Sequence, residues 1–143
     1  MGALSKFFQL NTEDRCLLLR AFGAVGSACV AVRLLPPSVV LQKISEPIAL
    51  QSCRPSPTAE RIGWAITVAA RYLPRSKCLV QAIAGRKLLA RCGIAGAIHI
   101  GVAKDSSNWL SAHAWLEVDG QTVIGGDNSS YAPLIGASQV YRS

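Results

Sequence analysis

The sequence predicts an α+β domain: helices first, then a helix carrying a cysteine packed on a small antiparallel sheet. Three observations carry that prediction. Up to Gly93 the chain reads as capped, proline-terminated helices. Beyond Gly93 the pattern changes to alternation, with Ile98, Ile100 and Val102 on one face and His99 and Gly101 on the other. Asp119-Gly120, set between two such runs, is a strong signal for a two-residue hairpin turn.

Taken in order, Asn11 or Thr12 can cap the first helix, and Glu13 and Asp14 stand in its first turn, where the helix dipole favours negative charge. Pro36-Pro37 stops that helix near Leu35. Residues 38–57 contain Pro47, Pro55 and Pro57 and read as a connector with one short helix. Ser56 or Thr58 opens the next helix, whose apolar face holds Ile62, Ile66 and Ala69; Pro74 ends it. Ser76 caps a further helix over residues 77–92, and Gly93 is a natural left-handed stop. Strands follow over residues 97–102, 110–118 and 121–124, and the run 125–130 breaks the last of them.

The bulk composition narrows the function. A chain of 143 residues, half of them hydrophobic and 16% charged, is expected to fold around one core. The net charge of +7 is uneven: residues 1–93 hold 13 Lys/Arg against 4 Asp/Glu, and residues 94–143 hold 2 against 4. The basic residues are spread out, without aromatic interleaving, so an acidic peptide or protein suits them better than nucleic acid. Residues 16–35 are apolar, but Arg20 and Arg33 interrupt them, and a core helix is expected rather than a membrane span. Lys6 stands where a myristoylation signal needs Ser or Thr, and the first fifteen residues hold no signal-peptide core. Five cysteines, at 16, 29, 53, 78 and 92, form no CxxC pair, and there is no Gly-rich phosphate loop. No metal or cofactor is therefore expected, and free thiols point to a reducing cytoplasm.

Cys78 is the candidate nucleophile. A thiol in the first turn of a helix meets the positive end of the dipole and unpaired N–H groups, which stabilise the reactive thiolate. Arg75 and Lys77 add positive charge, and Ala82 and Gly85, on the same side of the helix, allow close approach to a sheet. Cys16, Cys29 and Cys92 read as core residues, and Cys53 has no assigned role. His113 is the candidate base, and His99 reads as a hydrogen-bonded core histidine. Counting back from a turn at Asp119-Gly120, His113 falls opposite Gly126, with Asp127 next. Asp119 lies about 20 Å from His113 along an extended strand and Glu117 about 13 Å, so neither reaches the imidazole. Asp127 does, provided Gly125-Gly126 supply a bulge that turns it onto the face of His113.

At this point the chain resembles a family. Ser76-Lys77-Cys78-Leu79 with Ala82, the run from Leu88 through Cys92-Gly93-Ile94, Ile100-Gly101-Val102, and Ala112-His113-Ala114-Trp115-Leu116-Glu117-Val118 with Gly120 look like the lasso-peptide leader peptidases. Those are bacterial transglutaminase-like cysteine proteases, of the broader papain-like class. They remove the leader from a ribosomally made precursor before a separate cyclase threads the ring. The resemblance covers residues 8–135 and is dense from 74 to 126. It implies one peptidase domain over 1–143, with a helical lead-in and connector over 1–57 and a catalytic core over 58–135. It implies Cys78 as nucleophile, His113 as base and Asp127 as orienter. It also implies three partners: the precursor peptide, a separately encoded leader-binding protein, and the cyclase. The stand-alone form is expected because residues 1–60 look unlike a leader-binding winged helix. Other acyl transfer by the same triad, or an inert docking protein, are the alternatives. The Cys78 N–H suits an oxyanion donor; no glutamine between Gln51 and Cys78 supplies a second.

Overall fold

A computed structural model describes residues 2–52 and 57–136; Cys53 and Ser56 lie outside them. Among the described residues five helices precede four strands: α1 (Ala3–Gln9), α2 (Thr12–Leu34), α3 (Pro37–Ser45), α4 (Ala59–Tyr72), α5 (Cys78–Arg91), β1 (Ala97–Lys104), β2 (Leu110–Val118), β3 (Gln121–Ile124) and β4 (Ala132–Gly136). The α+β class expected from the sequence is the one found. Two elements were not anticipated, α1 and the edge strand β4.

The helix boundaries follow local chemistry. Of the two candidate caps, Asn11 does the work: its Oδ1 accepts the Asp14 N–H at 2.8 Å. Thr58 Oγ1 caps α4 by accepting the Arg61 N–H at 3.3 Å. Asp14 pairs with Arg61, tying the start of α2 to the start of α4, and the Arg61 guanidinium lies 4.5 Å from the centre of the Trp64 ring. Pro37 opens α3 at a helix position where a missing N–H costs nothing. Gly93, at φ +75°, ends α5 in the left-handed region.

The helices cover one face of an antiparallel sheet of order β3-β2-β1-β4. α2 packs on α4 and α5, α5 packs on β2, and α4 reaches β3. By length and composition α2 is apolar enough to cross a membrane. In this fold it buries Leu17, Leu18, Ala21, Ala24, Val25 and Ala28. The centre of the core is Ile62, Ile66, Leu88, Leu89, Ile98, Leu116 and Val25. Arg86, 6% exposed, sits beside it and donates to the carbonyl oxygens of Ile44 at 2.8 Å and Glu46 at 2.6 Å, at the end of α3.

Register fixes which side chains share a face. Ile98 pairs with Leu116, His99 with Trp115, Ile100 with Ala114 and Gly101 with His113. Ala114 and Leu116 belong to the helix-side core. Alternation therefore puts His99, Gly101, His113, Trp115 and Glu117 on the other face. Asp119 (φ 50°) and Gly120 (φ 78°) form the expected turn, with both central residues left-handed. The β2–β3 ladder then shifts: Glu117 pairs with Thr122 but Leu116 with Ile124, leaving Val123 as an extra residue. The bulge thus falls before Gly125-Gly126, the position the sequence suggested. Its site is where α4 touches the strand, since a Cβ on Gly63 would stand 2.5 Å from the Val123 carbonyl oxygen. Gly63→Ala is accordingly expected to push α4 off β3 and lower stability by about 2 kcal/mol, the usual cost of overpacking. Thermal unfolding checks this, and an unchanged midpoint would mean that the contact is slack.

Candidate active site

Cys78 is the first residue of α5, as expected, but the cap assigned to Ser76 is corrected. Its hydroxyl donates backwards, to the Ala70 and Leu73 carbonyl oxygens at 2.6 and 2.9 Å, and so closes the end of α4. The N-cap position is Lys77, which offers no side-chain acceptor. The first turn of α5 holds no acidic residue either. Its N–H groups thus take no side-chain cap, and this end keeps its partial positive charge for an anion. Arg75, at φ 67°, is left-handed in the turn just before it. The Cys78 thiol is unpaired and half-buried, and it packs against the helix-side core. The small-residue face expected below it is present. Ala82 is fully buried. A Cβ on Gly85 would stand 2.3 Å from Ile124 Cδ1 and 2.8 Å from Leu116 Cδ2, so α5 lies directly on β2 and β3.

His113 is half-buried on β2, with Nε2 2.7 Å from the Gly125 carbonyl oxygen. A carbonyl can only accept, so Nε2 carries the proton and Nδ1 of the neutral ring keeps a lone pair. That is the tautomer a general base acting through Nδ1 requires.

The hydrogen bond expected from His113 to Asp127 is absent. The extra residue at Val123 does shift the count by one, so that a ladder continued past Leu116–Ile124 would set position 127, instead of 126, opposite His113. Gly125 (φ 111°) and Gly126 (φ 64°) then turn the chain out of the ladder. Asp127 is exposed, and its Oδ1 accepts the Ser129 N–H at 2.9 Å. A backbone turn has taken up the carboxylate, and a backbone carbonyl stands on the imidazole in its place. The Ser129 backbone and side-chain hydrogen bonds hold the Asp127 carboxyl below its ordinary value of 3.8. A carboxyl lowered by folding stabilises above its unfolded pKa, and that stability is lost as pH falls through the folded value. The stability difference between the protein and Asp127→Asn should therefore be constant at neutral pH and shrink only below about pH 4. Urea unfolding at several pH values measures it; a change between pH 6 and 8 would contradict the assignment.

Cys78 and His113 lie toward the same end of the sheet. Gly85 sits over Leu116, while Leu89 lies against Gly96, which precedes the Ala97–Glu117 pair at the end of β2. α5 therefore runs along β2 in the same direction. Cys78 lies seven residues back from Gly85, about 10 Å of helix, and His113 three residues back from Leu116, about 10 Å of strand. They remain on different sides: the thiol packs on the helix-side core, and the imidazole lies on the open face. No hydrogen bond joins them in this structure.

The open face holds a network that the sequence reasoning did not assemble. His99, Trp115 and His113 stack in a row, with ring centres 5.6 Å apart for the first pair and 6.2 Å for the second. Tyr131 also lies against His113, with centres 5.0 Å apart. The Trp115 indole N–H donates to Glu117 Oε1 at 2.9 Å, and Glu117 Oε2 lies 3.2 Å from His99 Nε2. His99, expected as a core histidine, is thus half-buried and paired with a carboxylate. Glu117 stays away from His113, as its distance along the strand required. The i, i+2 spacing of His113, Trp115 and Glu117 was the available signal for a shared face.

A cavity of about 380 Å³ lies between α2, α3 and α5, lined by Val32, Val40, Ile44, Ile83 and Arg86 among others. Its lining includes none of Cys78, His113 and Asp127. Among the described residues no group of three or more His, Cys, Asp or Glu is arranged to hold a metal ion.

The transglutaminase-like superfamily model matches residues 18–136, and the chain belongs to that superfamily. The membership supports cysteine-dependent peptidase or acyl-transfer chemistry. No curated protein and no solved structure matches the chain.

Proposed function

We propose that this protein is a cysteine peptidase that removes the leader from a ribosomally made, lasso-type precursor in the bacterial cytoplasm. The observation that carries it is Cys78 at the uncapped first position of α5 within a transglutaminase-like domain. Cys78 attacks the scissile carbonyl. His113 takes the thiol proton at Nδ1 and returns it to the leaving amine, and water then hydrolyses the thioester with His113 as base. The Cys78 N–H donates to the oxyanion. Catalysis by this pair requires the thiol and Nδ1 to meet at the shared end of α5 and β2. The Gly125 carbonyl, instead of Asp127, orients the imidazole, and Asp127 acts on the loop that follows it. The free thiols of Cys16, Cys29 and Cys78 suit a reducing compartment.

A separate leader-binding protein is the expected partner. The excess of basic residues over 1–93 favours an acidic surface on it. Alone, the chain should cleave a synthetic precursor slowly, and the partner should accelerate it at least about tenfold, an advantage that shrinks as salt rises from low to about 0.5 M. Mass spectrometry of timed digests tests this. Full activity of the isolated chain at low precursor concentration would refute the partner requirement, and an intact precursor under all conditions would refute the substrate class.

A further inference from the structure

Glu117 has no place in the chemistry described so far, yet it organises the open face of the sheet. One of its oxygens accepts the Trp115 indole N–H at 2.9 Å, and the other lies 3.2 Å from His99 Nε2. Trp115 is 5% exposed, so its N–H needs a partner, and Glu117 is the one it has. Trp115 occupies a recess that two glycines leave open, Gly101 at its ring and Gly125 at its Cβ. A Cβ on Gly101 would stand 2.9 Å from Trp115 Cζ3, and one on Gly125 2.5 Å from Trp115 Cβ. Gly125 is also the residue whose carbonyl holds His113. The imidazole therefore lies against both the indole and the Tyr131 ring, and the residue that holds its Nε2 packs on Trp115 Cβ.

We propose that Glu117 is a positioning residue for His113: by fixing the Trp115 indole through one oxygen and His99 through the other, it sets the aromatic wall that holds the imidazole in place. This rests on the reading of His113 as the base for Cys78. Glu117 acts through Trp115 and touches neither the thiol nor the substrate in that scheme. The imidazole needs such a wall because a single hydrogen bond at Nε2 leaves its ring free to rock about the Nε2–O axis. Displacements of about 1 Å at a catalytic group can cost about a hundredfold in rate.

The test uses the full chain and iodoacetamide as the probe, with peptide mapping to follow alkylation of Cys78 separately from Cys16 and Cys29. Proton–carbon NMR of the His113 ring reports its surroundings without any reaction. In Glu117→Ala, Cys78 alkylation should slow about tenfold and the His113 ring signals should move as the indole shifts. Glu117→Gln keeps an oxygen to accept the indole N–H and should retain a rate within about threefold of the parent. Trp115→Phe keeps an aromatic ring but loses the donor; it should move the His113 signals and slow alkylation, and it carries the test if Glu117→Ala does not fold. Unmoved His113 signals with unchanged alkylation in Glu117→Ala or in Trp115→Phe would overturn the proposal. So would a lower melting temperature with no change at His113. His113→Ala separates the two levels: if it leaves Cys78 alkylation unchanged, the Cys78–His113 reading fails. If it slows alkylation while Glu117→Ala does not, only the role of Glu117 fails.

Discussion

Cys78→Ala is expected to abolish leader removal while leaving the fold intact, with a loss of at least about 10⁴-fold, the scale on which removal of a covalent nucleophile acts. The fold should survive because Cys78 is half-buried at a helix end, and alanine is a good helix former. Cys16→Ala and Cys29→Ala should keep most of the activity, since both lie in α2. Cys92→Ala should do so as well, as it follows the last turn of α5 and lies far along that helix from Cys78. Mass spectrometry of a reconstituted precursor digest, with circular dichroism as the folding control, checks the set. Normal cleavage by Cys78→Ala would remove the thiol from the mechanism.

The largest effect on stability is expected at Arg86. Its guanidinium is buried, and it serves the Ile44 and Glu46 carbonyl oxygens at 2.8 and 2.6 Å, with that of Lys43 at 3.5 Å. These carbonyls lie at or just past the end of α3, where helical partners have run out. Arg86→Met keeps much of the packed stem and removes the donors. One buried and one part-buried acceptor losing a charged donor cost about 3 kcal/mol together, and at about 3 °C per kcal/mol for a chain of this size the midpoint should fall by about 10 °C. Arg86→Lys should recover only part of this, because one ammonium cannot reproduce the planar fork. A midpoint within about 2 °C of the parent in Arg86→Met would show that water replaces the guanidinium without cost.

The parts of the fold that were legible in the sequence are those set by local chemistry. Asn11, Thr58, Gly93 and the Asp119-Gly120 turn each act on residues within a few positions, so type and place could be read together. The strand over 121–124 is legible for the same reason. The misses are places where a distant part of the chain decides. α1 has no side-chain cap to announce it, and Phe7 packs against a core built elsewhere. β4 contains Pro133 and exists through its pairing with β1. Ser76 had two helix ends within reach and its position alone could not say which it would close. In the site, the position of Cys78 at a helix start and of His113 on a strand were legible. The partner of His113 was not, because the bulge that sets it falls where Gly63 of α4 meets β3.

That bulge limits how the chain can vary in length through evolution. Ile124 is buried against Gly85, while Gly125 must lie beneath Trp115, and the extra residue at Val123 puts both in phase with Leu116 on β2. Losing one residue between Gly120 and Ile124 would turn Ile124 toward the open face and strip His113 of its carbonyl partner in the same step. Gains and losses of single residues should therefore accumulate in the exposed turn 105–109 or in the segment 127–131, and selection should hold the count from Gly120 to Gly125 fixed even where the side chains between them drift.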